Sequence, residues 1–164
     1  SLNEVVDICL AKVDVSAVVP GVLHGDLCFS NVLFDSRADR IKLIDPRGMA
    51  YNGTHCITGD LRYDLAKLTH SVCGYYDFII AGAFDIDEGK GLDFEFALHI
   101  DDRVEMVAAQ FLDLNMLSGF TPRDVMPQVV LLFLSMLPLH ADSPRRQRAL
   151  LANGLRLFVE LEGA

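Results

Sequence analysis

Asp26 and Asn31 stand with four residues between them in the run His24-Gly25-Asp26-Leu27-Cys28-Phe29-Ser30-Asn31. Further on, an apolar stretch, Ile41-Lys42-Leu43-Ile44, leads straight into Asp45. Three oxygen-bearing side chains in this order suit phosphoryl transfer. That chemistry needs a carboxylate to orient an acceptor hydroxyl and a divalent cation to neutralise phosphate charge. Asp26 fits the first task. Asn31 and Asp45 fit the second, because Mg2+ is hard, takes oxygen donors, and is usually held by one or two protein groups plus phosphates and water. An Asn amide oxygen and an Asp carboxylate are both such donors.

These residues need a frame. Val32-Leu33-Phe34 and residues 41–44 read as two short strands around the polar turn 35–40, a hairpin. Pairing them sets Asn31 near Asp45 at the hairpin's open end. Before it, residues 2–13 show helical spacing, and the apolar run 18–23 is broken by Pro20 and Gly21. Residues 47–58 read as a loop. Residues 60–83 read as one helix with Asp60 as N-cap and Leu61, Leu65, Leu68, Val72, Tyr75, Tyr76 and Ile79 on one face. Gly82 and residues 85–89 close it. Leu92, Phe94, Phe96, Leu98 and Ile100 alternate with polar residues, the period of a half-buried strand. Three helices follow: about 102–117, one from Thr121-Pro122 with Asp124 completing a capping box, and one from Ser143-Pro144 to Gly163. The expected fold is α+β and mostly helical, a single domain over residues 1–164 with a small hairpin carrying the chemistry.

Composition narrows the class. The 164 residues are 51% hydrophobic and 23% charged, a globular balance. A net charge of −9 argues against a nucleic-acid surface, which needs clustered Lys and Arg. The apolar run 125–139 contains two prolines and falls short of the ~20 residues a span requires, so it reads as a buried helix and no membrane insertion is expected. Cys9, Cys28, Cys56 and Cys73 are widely spaced, which argues against a zinc knuckle and for reduced, cytoplasmic thiols. The Met106, Phe111, Met126 and Phe133 stripe reads as helix packing. Asp85, Asp87, Glu88, Asp101 and Asp102 read as a solvated acidic rim, or as the lining of a pocket for a cationic acceptor.

The motif His24-Gly25-Asp26…Asn31, then Ile44-Asp45, then Gly59-Asp60-Leu61-Arg62-Tyr63-Asp64-Leu65-Ala66 resembles the aminoglycoside phosphotransferase and choline kinase superfamily. The match runs over about residues 22–80. The resemblance implies the C-terminal catalytic lobe of a protein-kinase-like fold. It implies Asp26 as catalytic base, Asn31 and Asp45 as Mg2+ ligands, and His24 and Asp64 as supports of the loop. ATP or GTP would be the donor, and a hydroxyl of a sugar, polyol, choline or aminoglycoside the acceptor. Ile44-Asp45-Pro46-Arg47-Gly48 with the Gly59–Leu68 segment is also similar to proteins attributed to bacterial capsular or surface-polysaccharide synthesis. Pro46 stiffens the loop after Asp45. Arg47 could reach a phosphate or an acidic substrate group, or pair with a local carboxylate.

One half of such an enzyme is not legible here. Twenty-three residues precede His24, and none of Lys12, Lys42, Lys67 or Lys90 follows a Gly-rich hairpin on a strand. Gly89-Lys90-Gly91 reads as a turn. The nucleotide-gripping N-terminal lobe is therefore expected outside these residues, as a partner from the same protein. The chain alone is expected to bind nucleotide weakly and to be inactive. The alternative is a catalytically inactive kinase-like binding or regulatory module. A plain helical interaction domain would explain only the back half.

Overall fold

Residues 126–136 include just two polar side chains, Gln128 and Ser135, so a helix there has almost no face to offer water. In the computed structural model, which describes residues 1–50, 52–88, 94–117 and 119–163, this stretch is helix α5 (Met126–Met136). Its Val129, Val130 and Phe133 are fully buried. Helices α1 (Leu2–Lys12), α2 (Arg62–Val72) and α6 (Pro144–Gly163) all pack on it. Burial of each such side chain contributes about 1.5–3 kcal/mol, so α5 is the axis on which the other helices are fixed.

Three antiparallel strand pairs complete the described residues. β1 (Pro20–Val22) pairs with β4 (Thr58–Asp60), β2 (Val32–Asp35) with β3 (Arg40–Leu43), and β5 (Phe84–Glu88) with β6 (Phe94–Leu98). The remaining helices are α3 (Tyr76–Ile80) and α4 (Asp102–Phe111). About half the described residues are helical, so the fold is α+β with small sheets. No helix among them is long and apolar enough to cross a membrane.

The structure departs from the sequence reading in instructive places. The helix expected over 60–83 breaks into α2 and α3. Gly74 passes so close to α5 that a Cβ there would lie 2.7 Å from Phe133 Cε2. Tyr75 then turns the corner in the left-handed region, at φ 54°. Asp60 ends β4, yet its Oδ1 still accepts the Arg62 amide at 3.1 Å. The loop expected at 85–89 begins as strand β5, whose Phe84 is buried while the flanking acids face out. Strand β6 starts at Phe94; Leu92 and the Gly89-Lys90-Gly91 turn lie outside the described residues. Helix α4 ends at Phe111, short of residue 117. The helix from Thr121 opens as a 3-10 turn, Pro122–Val125, with Asp124 Oδ2 accepting the Thr121 amide at 2.7 Å. Met106 is half exposed and does not join the packing stripe, whereas Phe111 and Phe133 do. The acids read as a solvated rim are exposed at Asp85, Asp87, Asp101 and Asp102, and two of them also take structural posts: Asp85 meets His99 at 2.8 Å and Asp101 caps α4.

The corner at Gly74 is held from α6. Asn153 is fully buried, and its Nδ2 donates to the Gly74 carbonyl at 2.6 Å. Asn153→Ala leaves that carbonyl without its donor, and a buried unsatisfied group costs about 1–3 kcal/mol. The urea midpoint should fall accordingly; an unchanged midpoint would show that the corner does not need the bond.

Candidate active site

The loop that carries Asp26 is tied to helix α2 at its start by one carboxylate, and further on by Lys67 and by Ser71, whose Oγ accepts the Phe29 amide at 3.2 Å. Asp64 Oδ2 accepts the His24 amide at 2.7 Å and Oδ1 accepts the Gly25 amide at 2.8 Å. Both donors belong to the loop backbone, so the loop's path is set before any side chain acts. Gly25 has φ 79°, and a Cβ there would lie 2.9 Å from Arg47 Cβ. Glycine answers both demands. His24 Nε2 faces the Ile44 carbonyl at 2.8 Å. A carbonyl only accepts, so Nε2 carries the proton and Nδ1 is left to accept the Asp26 amide, at 3.3 Å.

These contacts present Asp26 at the mouth of a cleft of about 520 Å³. Each of its oxygens has a different partner. Lys67 Nζ lies 2.9 Å from Oδ1, and Asn31 Nδ2 lies 3.3 Å from Oδ2. Asn31 Nδ2 also donates to the Asp26 carbonyl at 2.8 Å. Two acceptors on that side oblige the amide nitrogen to face them, which turns the Asn31 oxygen the other way.

Asp45 completes the group. The register Val32↔Leu43 and the 3.0 Å bond from Ile44 N to the Asn31 carbonyl put Asn31 opposite Ile44, so Asp45 is the next residue out. Asp45 sits at φ 56° directly before Pro46. Left-handed backbone is uncommon for a residue with a side chain, and a following proline restricts it further. The conformation costs on the order of 1–3 kcal/mol. It is held from both sides, by Ile44 N and by Arg47 N, which donates to the His24 carbonyl at 2.8 Å.

Asn31 and Asp45 line the same cleft and offer one amide oxygen and one carboxylate. That donor set fits a hard divalent cation. No cluster of three or more His, Cys, Asp or Glu able to hold a metal occurs among the described residues. A cation here would thus rely on phosphate oxygens and water for the rest of its shell, as Mg2+ characteristically does.

The opposite wall is helical. Tyr63 and Lys67 lie one turn apart on α2, with Tyr76, Leu132, Ser135 and Met136 beyond them. Lys67 is almost fully buried, with its ammonium 5.8 Å from the Tyr76 ring centroid. Burial, with Cys28, Asp77 and Asp26 nearby, pushes the Tyr76 phenol up to about 12, so it remains a hydroxyl. Arg47 NH1 donates to the Tyr63 hydroxyl at 3.1 Å. Arg62 turns away from the cleft and bonds Asp60 and the Asp14 carbonyl. Burial works against the Asp60 carboxylate, but bonds from Arg62 and Val19 outweigh it and hold the carboxyl below its usual range.

Comparison with protein-family models, with curated proteins and with solved structures returned no match.

The structure thus brings His24, Asp26, Asn31, Asp45, Arg47 and Asp64 to one cleft or its immediate support. It adds Lys67, Tyr63 and Tyr76. Lys67 had a signal in the sequence: it falls three residues after Asp64, a cation beside the apolar face of α2.

Asp64→Ala removes two charge-assisted bonds to the loop backbone. Amide hydrogen exchange at His24 and Gly25 should accelerate at least tenfold while α5 amides keep their protection; equal protection in the variant would mean that something else holds the loop.

His70 lies behind the wall, fully buried, its ring 4.1 Å from Phe133 and 4.5 Å from Tyr76. Neither ring nitrogen has a hydrogen-bond partner. Burial, and then the Lys67 charge, lowers its pKa well below the ordinary 6.5. The unfolded chain binds a proton here near the ordinary value and the folded chain does not. The contribution of neutral His70 is therefore fully present above about pH 6.5 and declines as pH falls below it, by up to about 1.4 kcal/mol per unit. Stability of wild type should fall more steeply than that of His70→Leu between about pH 7 and 5. Parallel urea-midpoint profiles would sink this.

Proposed function

We propose that this chain is the catalytic lobe of a nucleotide- and Mg2+-dependent phosphotransferase with a protein-kinase-like fold, acting on a hydroxyl of a small molecule. The observation that carries the reading is the setting of Asp26. One oxygen is held by Lys67 and the other by Asn31, and the same cleft contains Asp45. A general base must be fixed in direction and open to substrate, and the Asp26 side chain is about a third exposed, at 36%.

On this reading the acceptor hydroxyl enters the cleft with its proton toward Asp26. Its oxygen bonds to the γ-phosphorus of ATP or GTP. The bond from that phosphorus to the β,γ-bridging oxygen breaks, the proton passes to Asp26, and a nucleoside diphosphate leaves. Asn31 and Asp45 would hold Mg2+, which when bound neutralises charge on the phosphates. Asp64 and His24 keep the loop in place throughout. Lys67 keeps Asp26 turned toward the cleft.

The reading also calls for an element that grips the nucleotide across from the hairpin. Phe34, Ile41 and Leu43 share one face of β2–β3 and are each about half exposed or more, an apolar surface that an N-terminal lobe of the same protein would cover. Reduced thiols and a nucleoside triphosphate donor suit the cytoplasm. A role in surface-polysaccharide synthesis rests only on the resemblance of Ile44–Gly48 together with Gly59–Leu68.

Asp26→Asn keeps the shape and removes the base. In the protein as its gene encodes it, Mg2+-dependent nucleotide consumption should drop about 100-fold or more, with the melting temperature little changed. Turnover within a fewfold of wild type would take Asp26 out of this role.

A further inference from the structure

Asp26 divides its cleft in two. Oδ2 faces Asn31, on the hairpin side with Asp45; Oδ1 faces Lys67, on the α2 side. If the cation and nucleotide take the Asn31–Asp45 side, the α2 side is left for the acceptor. Its charged groups are Lys67 and Arg47, both positive, and both line the cleft. The carboxylates lining the cleft are Asp26 and Asp45, each already given a task.

A cationic acceptor needs a carboxylate or an open aromatic face. Both tyrosine faces here are engaged by the chain's own cations. Arg47 Cζ stands 5.6 Å from the Tyr63 ring centroid, and Lys67 Nζ 5.8 Å from that of Tyr76. Arg47 itself has no carboxylate partner among the described residues; its one side-chain hydrogen bond goes to the neutral Tyr63 hydroxyl. A guanidinium has five donors in a planar fork that matches a carboxylate or phosphate. Its stem lies against Gly25, and its backbone amide is tied to His24. The root of the side chain is thereby anchored against the loop that carries Asp26, and both residues line the one cleft.

We infer that the acceptor is a hydroxylated compound bearing an anionic group, a phosphate or a carboxylate, and that Arg47 binds this group with Lys67 nearby. The inference rests on the phosphotransferase reading and names its substrate class. It sets aside choline-like and aminoglycoside-like acceptors. The net charge of −9 does not contradict it, since recognition depends on the groups that line the cleft.

The test uses the protein as its gene encodes it, with Mg-ADP in excess so that nucleotide phosphates do not compete unseen. Binding of glucose 1-phosphate, glucuronate, glucose and choline is read by saturation-transfer NMR. The phosphate and carboxylate arms tell which anion the fork prefers. At least one anionic sugar should bind about tenfold or more tighter than glucose or choline, and Arg47→Gln should lose that margin while melting within a few degrees of wild type. Equal or tighter binding of choline or glucose, no anionic binding, or an unchanged margin in Arg47→Gln would each overturn the inference. Phosphate transfer from Mg-ATP, followed in parallel, separates the two claims. Arg47-dependent anion binding without any transfer would sink the phosphotransferase reading and leave the anion subsite. Transfer to choline or glucose that ignores Arg47→Gln would sink the subsite and leave the reading.

Discussion

The arrangement of this molecule hangs on the Asp64 carboxylate. It is the point where a helix packed into the core takes hold of the start of the loop that carries Asp26. Helix α2 is fixed by α5, whose Val129, Val130 and Phe133 are out of water altogether. Asp64 carries that rigidity outward through two backbone amides, His24 and Gly25. The next residue is Asp26. Each link is short, and the order is core, helix, carboxylate, backbone, reactive side chain.

The cost of this plan is visible in the backbone. Gly25 and Asp45 both sit at positive φ, one relieved by having no side chain and the other held by bonds on both flanks. Strained residues persist where neighbours over-determine them. Here the neighbours are the hairpin root and the His24 carbonyl. The chain also buries a lysine in the cleft wall and a histidine one turn on, behind it, Lys67 and His70. The first has a carboxylate and an aromatic ring. The second has only aromatic rings. Charge is thus allowed in the wall where a counter-charge meets it, and excluded one turn deeper.

The motif order showed where the candidate side chains converge, because the hairpin between Asn31 and Asp45 is short and its register follows from the apolar pairs Val32–Leu43 and Phe34–Ile41. Local rules also foretold the capping at Thr121 and the buried run that became α5. The break at Gly74–Tyr75 was hidden because the apolar period continues across the corner, while the contacts that go with it, Phe133 against Gly74 and Asn153 on its carbonyl, come from residues distant in sequence. Strand β5 was hidden by its own acids, which look like a loop until Phe84 and Ile86 are seen to share a face. The partner of Asp26 was hidden for the same reason as the corner. A lysine on a helix is ordinary until the loop it will meet, some forty residues earlier, has been placed against it.

Asp64 and Lys67 both rise from α2, and both end on the same loop, one on its backbone and one on its carboxylate. His24, Gly25, Asp26 and Asn31 are joined to each other and to that helix by an unbroken series of bonds. Free-energy changes at such residues do not sum, because each substitution alters the geometry that gives the next its effect. Single replacements in this set will therefore rank poorly as separate contributions. The meaningful unit of measurement is the pair, and the coupling between Asp64 and Lys67 is a property of the helix rather than of either side chain.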